Sequence, residues 1–376
     1  MGKDSDRDNR IPVIVVALRI DETEEEFEHK VDELRSLCKA CDLEVKGILT
    51  QTLPHPDNAT HIGSGKADEL AEHIKNMDAE YAVCLKNLSP AQMKNLQKII
   101  GVPVWDRTNL ILEIFSRRAK TREATLQVEL AYLQYMMPRL TGMWLHLGRQ
   151  SGGGGSRANK GIGEKQIELD RRQISRRISE LKKELAKIEK TRDVQRQGRG
   201  RENLKNVALV GYTNAGKSSL MNCLLAKGTR SSGRVDDKKV FEKDMLFATL
   251  DTSIRKISIW PRKAFLLSDT VGFIEDIPHD LIKAFRSTLA EARYADLILI
   301  VLDSSDPRHE EHRKVTEETL KDLDALSIPR LYVYNKADLR DSDLTVENVP
   351  GRDTIYISAR TGYGIDALLD AIDTFQ

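Results

Sequence analysis

An α/β protein in three successive parts is predicted by three observations. Short apolar runs alternate with amphipathic stretches over residues 11–118; helical periodicity broken by glycines fills 119–202; and apolar strands ending in polar, glycine-containing turns return over 203–376. Together they predict an N-terminal parallel-sheet α/β domain, a long antiparallel helical hairpin, and a C-terminal doubly wound domain with a mostly parallel sheet, preceded by a polar tail over residues 1–10. A chain of 376 residues, 40% hydrophobic and 31% charged, is an ordinary globular composition for two or three domains. Its net charge of +1 means that any basic surface must be local. No apolar run approaches the roughly 20 residues of a membrane-spanning helix. The start "MGKDSDRDNR" lacks an apolar signal core, and Gly2 is followed by Asp6 where a myristoylation signal has Ser or Thr. The chain is therefore expected in the cytoplasm.

In the first part the strands are "VIVVAL", "VKGILTQT", "YAVCL" and "VPVW", separated by charged segments with apolar residues at helical spacing. Where the second strand gives way to a helix the chain reads "HIGSGKADEL". Gly63, Gly65 and Lys66 could present N–H groups and an ammonium to a phosphate, but the full loop spacing is missing, and an ordinary strand-to-helix turn is the reading adopted. Cys38 and Cys41 form a lone C-x-x-C in a helical segment, with no further ligands at zinc-site spacing, so they are read as packing residues.

From Thr121 the period becomes helical. Leu126, Leu130, Leu133, Met137 and Leu140 line one face, with Pro138 expected to kink it. A second stripe runs through Ile167, Ile174, Ile178, Leu181, Leu185 and Ile188. The glycine-rich segment between them, with its loop at 151–163, should let the two helices fold back on each other. From Arg157 to Lys205 there are sixteen Lys or Arg against eight Asp or Glu. That excess, with backbone made accessible by Gly152, Gly153, Gly154 and Gly155 and charge supplied by Arg157 and Lys160, points to phosphate-backbone contact with RNA.

The third part carries four motifs, each after a strand. "NVALVGYTNAGKSSLMN" contains G-x-x-x-x-G-K-S at Gly211, Tyr212, Thr213, Asn214, Ala215, Gly216, Lys217 and Ser218, with Ser219 opening the following helix. Loop N–H groups would cradle a β-phosphate, Lys217 would neutralise the β and γ oxygens, and the Ser218 hydroxyl would ligate Mg²⁺. In "AFLLSDTVG", Asp269 is placed for the metal's water shell and the Gly272 N–H for a γ-phosphate. In "LYVYNKADL", Asn335, Lys336 and Asp338 form a base pocket, the Asp338 carboxylate accepting both N–H donors of guanine. In "IYISARTG", Ser358, Ala359 and Arg360 bring a backbone N–H to the guanine O6. These four motifs in order define a P-loop GTPase domain taking GTP or GDP with Mg²⁺. Within "FATLDTS", Thr249 is the expected switch threonine and third metal contact, with Thr252 as the alternative. Lys217, Thr249 and Gly272 are the candidate catalytic positions. Phe273 stands where many GTPases carry a water-positioning glutamine, so intrinsic hydrolysis should be slow, and Phe273→Ala should leave the basal rate within about a few-fold.

"LPHPDNATHIGSGKADEL", "DRTNLILEIFSRRAKTREATLQVELAYLQY", "GGGGSR…GEKQIELDRR", "GYTNAGKSSLMN", "FATLDTS" and "DTVGFI" together resemble the HflX family of ribosome-associated GTPases over nearly the whole chain. The resemblance implies binding to the large ribosomal subunit and its rRNA. It also implies, as for some members, the splitting of stalled or idle ribosomes under stress, with GTP hydrolysis stimulated by the subunit. It implies further that the hairpin reaches toward the peptidyl-transferase region, that residues 152–163 touch rRNA, and that the G domain faces the factor-binding centre. Two departures stand out. The family's Gly-Pro-Gly-Glu is here Gly161-Ile162-Gly163-Glu164, and a further C-terminal domain of many members is not expected after "LLDAIDTFQ". The family's use of ATP would rest here on the turn from Gly63 to Lys66, and the alternative function is an ATP-dependent RNA-remodelling protein regulated by its G domain. A GTP-dependent switch for protein partners alone fits the basic hairpin less well. The free chain is expected to be a monomer.

Overall fold

The computed structural model describes residues 10–140, 158–199, 204–232, 247, 253–275, 291–340 and 353–375. By its contacts the chain divides into two compact units, Met1–Arg117 with Val128–Glu184, and Arg118–Gln127 with Leu185–Gln376.

The first unit is built on a four-stranded sheet of β1 (Ile11–Arg19), β2 (Leu43–Thr52), β3 (Tyr81–Cys84) and β4 (Val104–Trp105), in the order β2-β1-β3-β4 and parallel throughout. Central β1 is buried from Val13 to Leu18, which is why it reads as an unbroken apolar run rather than an alternation. The crossovers are α1 (Glu24–Ala40), α2 (Ser64–Asn76) and α3 (Pro90–Ile100), and α4 (Arg107–Arg118) follows β4. The sequence marks two of their starts. Thr23 with Glu26, and Ser89 with Gln92, form capping boxes that satisfy N–H groups at the first turn. Gly101, at φ 79°, closes α3 in the left-handed region. Cys38 and Cys41 are buried in this unit, and burial pushes the Cys38 thiol up to about 12, so it is a packing group and not a nucleophile.

Asp106 joins the sheet to the next helix, α5 (Arg122–Met136). Its fully buried carboxylate accepts from the Tyr135 hydroxyl at 2.9 Å, the Leu88 N–H at 3.2 Å, the Asn109 N–H at 2.9 Å and Arg139 at 3.3 Å. Such a carboxylate holds position only because each lone pair is answered. Pro138 interrupts the helix as expected: α5 ends at Met136, a 3-10 turn takes Met137–Arg139, and Leu140 is helical again, since proline removes the N–H that an unbroken α turn would need.

The second long helix is α6 (Ala158–Arg199). It starts inside the segment expected to be the glycine loop, so Lys160, Gly161 and Gly163 lie on a helix. Each helical glycine costs about 1 kcal/mol relative to alanine, an amount that a long run of good helix formers behind it can outweigh. Gly152, Gly153, Gly154, Gly155 and Arg157 fall outside the described residues. Along α6 the expected stripe is inward, with Ile178 and Leu181 buried and Arg176, Lys182 and Lys183 exposed. In the first unit Arg177 forks onto Glu129 at 2.7 and 2.9 Å; in the second, Arg192 meets Glu123 at 2.8 Å.

The second unit holds a six-stranded sheet in the order β10-β9-β8-β5-β7-β6. Its strands are β5 (Lys205–Val210), β6 (Ser253–Ile257), β7 (Phe265–Asp269), β8 (Leu297–Asp303), β9 (Arg330–Asn335) and β10 (Thr354–Tyr356). Edge strand β6 pairs antiparallel with β7, and the other pairings are parallel. Helices α7 (Lys217–Ser232), α8 (His309–Asp322) and α9 (Ile365–Thr374) connect or follow the strands. β5 is buried from Val207 to Val210 and β8 from Leu297 to Leu302, so the C-terminal ends of the central strands are held on a rigid core. In open α/β sheets the crevice beyond those ends is where ligands bind. No helix among the described residues is long and apolar enough to cross a membrane.

Candidate nucleotide site

The strand ends bring the four motifs to one edge of this sheet. Gly211 to Gly216 leave β5 and turn directly into α7, so N–H groups and the positive end of the helix dipole face the same point. Asn214 takes a left-handed φ of 63° and is exposed. Gly216 has φ 88°, and an added Cβ would run into the Asn335 amide, so only glycine fits there. Lys217 is 6% exposed and lies back along the loop, its Nζ donating to the Gly211 carbonyl at 3.0 Å and the Tyr212 carbonyl at 2.8 Å. Burial lowers its pKa to about 8, with the charge of Asp269 acting in the opposite sense.

Ser218 and Asp269 meet as expected: the Ser218 hydroxyl donates to Asp269 Oδ2 at 2.7 Å. Asp269 lies in register beside Leu209 of β5, and neighbouring Thr270 donates to the Leu209 carbonyl at 2.7 Å, fixing the strand end. A hydroxyl and a buried carboxylate in contact form an all-oxygen donor set of the kind Mg²⁺ takes. Gly272 is packed so closely that a Cβ would lie 2.8 Å from Thr213 Cα and 3.1 Å from Lys217 Nζ. Any side chain there would push the D-x-x-G segment off the phosphate loop. Thr249 and its alternative Thr252 fall outside the described residues.

Phe273 is 2% exposed, and its N–H and carbonyl pair with Gly211 and Thr213 at 3.0 and 2.7 Å. Its side chain is a core element, so Phe273→Ala opens a cavity costing about 3–5 kcal/mol. The rate expected for that variant can be read only where it still folds. Phe273→Leu isolates the chemistry: basal turnover should stay within about three-fold of the parent, with a modest drop in melting temperature. A tenfold loss of turnover in a folded Phe273→Leu protein would give the ring a role in the reaction.

The residues expected at the base pocket divide by task. Asn335 is buried and works as a tie: its Nδ2 donates to the Ala215 carbonyl at 3.0 Å, and its Oδ1 accepts the Ala359 N–H at 3.0 Å. Phosphate loop and both base-recognition loops are thus fixed to one side chain. Lys336, at φ 61°, ion-pairs with Asp303 at 2.6 Å. Asp338 sits exposed on a 3-10 turn, one carboxylate oxygen held by the Ser358 hydroxyl at 2.6 Å. Ser358 is fully buried and also accepts the Thr361 N–H at 3.1 Å, while Arg360 is exposed. Sequence reasoning missed Asp303 and His312. Asp303 had a signal, a carboxylate ending the apolar run "LILIVLD" in register with Asn335. His312 had none; it stacks on Tyr212 from a helix far along the chain. In the first unit the Gly63 N–H is taken by Gln51 at 2.9 Å and Lys66 pairs with Glu69 at 2.9 Å, the arrangement of an ordinary helix start.

A phosphate loop opening a helix, a strand-end aspartate against its serine, and an N-K-x-D turn oriented by a buried serine define a P-loop GTPase. Residues 206–336 match the family described as 50S ribosome-binding GTPase, 28–116 the GTP-binding GTPase N-terminal family and 118–199 the GTP-binding GTPase Middle Region. GTPase HflX of Caldanaerobacter subterraneus subsp. tengcongensis is 44% identical over 367 residues, 98% of this chain and 81% of that protein. GTPase HflX of Escherichia coli K12 is 40% identical over 355 residues, 93% and 80% of the two chains. A crystal structure described as a complex of SsGBP and GDP matches 96% of this chain and 97% of its own at 25% identity and a TM-score of 0.51. The chain belongs to the HflX family of GTPases.

Proposed function

We propose that this chain is a GTP-driven factor of the large ribosomal subunit that dissociates or rescues ribosomes under stress. The observation that carries the reading is the assembly of four guanine-nucleotide motifs in one site, in a chain whose residues 206–336 match a family described as 50S ribosome-binding. The proposed parts run 11–118 for the N-terminal domain, 119–202 for the hairpin and 203–376 for the G domain. In the G domain, residues 211–219, with the Lys217 ammonium, hold the phosphates, Asp338 reads guanine, and Asn335, Lys336, Ser358, Ala359 and Arg360 build its pocket. Mg²⁺ would be held by Ser218, Thr249 and, through its water shell, Asp269, and would supply neutralisation of phosphate charge. Gly272 offers its N–H to the γ-phosphate. Because Phe273 carries no group to orient water, the free protein turns over slowly and the subunit accelerates it. Purified large subunits should raise GTP turnover well above the level reached with naked rRNA. Equal stimulation by both would replace the ribosome with RNA alone as the partner.

The hairpin end is the proposed rRNA contact, with Gly152, Gly153, Gly154 and Gly155 allowing close approach and Arg157 and Lys160 meeting phosphates. Each lost phosphate contact lowers the slope of log affinity against log salt by about 0.7–0.9. Changing Arg157 and Lys160 to alanine should therefore weaken sedimentation with large subunits and flatten its salt dependence by about 1.5 units, leaving GTP affinity of the free protein unchanged. An unaltered salt slope would move the RNA contact elsewhere on the chain.

A further inference from the structure

Tyr212 lies in the phosphate loop, yet its side chain leaves the loop. The ring is 6% exposed and stacks on the His312 imidazole of α8, with centroids 3.8 Å apart and planes 12° from parallel. His312 is buried in its turn. The Tyr212 hydroxyl accepts the backbone N–H of Glu275 at 3.1 Å. On the backbone side, the Thr213 N–H donates to the Phe273 carbonyl and the Phe273 N–H to the Gly211 carbonyl. Three hydrogen bonds therefore hold residues 273–275 to residues 211–213, and Gly272 sits at the head of the tied segment, against Thr213 and Lys217.

We infer that Tyr212 is a positioning residue for recognition of the γ-phosphate, registering the D-x-x-G segment against the phosphate loop and, through His312, against α8. The two backbone bonds alone form a single isolated bridge, which can pivot. The hydroxyl bond to Glu275 lies two residues further along and removes that freedom. The close, nearly parallel stack on His312 fixes the ring that carries the hydroxyl. On the proposed assignment the β-phosphate is met by N–H groups at the start of α7, which take no part in these three bonds, so the effect of the tie falls on the third phosphate. This inference rests on the proposed role of Gly272 and adds the device that aims it.

The test compares affinities for GDP and for a non-hydrolysable GTP analogue, both with Mg²⁺, in the full-length chain. Tyr212→Phe keeps ring, stack and packing and deletes only the acceptor. It should bind GDP within about two-fold of the parent but the analogue about five-fold more weakly, the usual worth of one hydrogen bond. Subunit-stimulated kcat should fall by a similar factor. His312→Ala should reproduce the split by freeing the ring. Gly272→Ala is the arm that reads the underlying assignment: it should lose preference for the analogue more severely than either. Parent-like ratios in Tyr212→Phe with a loss in Gly272→Ala would overturn the positioning role and keep the Gly272 assignment. Parent-like ratios in both would overturn both. Equal weakening of GDP and analogue in Tyr212→Phe would reduce Tyr212 to a structural residue of the loop.

Discussion

Asp338→Asn is expected to lower GTP affinity by on the order of 10²-fold and to create binding of xanthosine triphosphate. In its proposed role the carboxylate accepts two N–H donors from guanine. An amide in its place offers a donor to a donor, while xanthine, with a carbonyl where guanine has its amino group, accepts it. The structure adds the reason the exchange should be clean. Ser358 donates to Asp338 Oδ1 at 2.6 Å, and the same hydroxyl can donate to the amide oxygen of asparagine. The Asn Nδ2 would then occupy the place of the oxygen that meets the base. Ser358→Ala should loosen this orientation and weaken GTP by about ten-fold, less than the charge-removing change. Titration calorimetry with GTP and with the xanthine nucleotide reads both. Parent-like GTP affinity in Asp338→Asn would take the side chain out of the base pocket.

That pocket was legible because its residues are local. An apolar run ending in N-K-x-D places Asn335 and Asp338 on one strand end whatever the rest of the chain does, and the same holds for Lys217, Ser218 and Asp269. The parallel sheet of the first unit was legible for a related reason: strands buried on both faces leave unbroken apolar runs. What the sequence did not disclose are partnerships made across the fold. Asn335 reads as a base contact, and only the folded sheet brings its amide to Ala215 and Ala359. Asp106 carries no motif of its own, and only the packed helix delivers Tyr135 and Arg139 to it. The stack of Tyr212 on His312 belongs to the same class. The start of α6 differs from the sequence expectation on other grounds: glycine content suggests a loop through residue 163, while helix propagation from the long segment behind it reaches back to Ala158.

Lys217→Met is expected to remove nucleotide-driven turnover and leave the nucleotide-free fold at least as stable as the parent. The ammonium is buried, and that burial holds its pKa down to about 8 against an ordinary 10.5. Between those two values the unfolded chain binds a proton that the folded chain does not, so this group makes stability rise with pH across that window. Below about pH 8 the buried charge counts against the fold by its full amount, and methionine, of similar length and without charge, relieves it. The carbonyls it leaves are not abandoned, since Gly211 O still accepts the Phe273 N–H and Tyr212 O the Ala215 N–H. The denaturation midpoint of nucleotide-free Lys217→Met should therefore match or exceed the parent's, and the parent's gain in stability between pH 8 and 10.5 should flatten. Function runs the other way. In its proposed role the ammonium is a preorganised charge for the transferred phosphate, and removing one such group costs about 10²–10³ in kcat. In the parent, nucleotide affinity should itself fall as pH rises through about 8, because the deprotonated amine no longer neutralises phosphate. Subunit-stimulated turnover within ten-fold of the parent in Lys217→Met would contradict the phosphate role. A large loss of nucleotide-free stability would mean that the lysine is retained for the fold and not for the nucleotide.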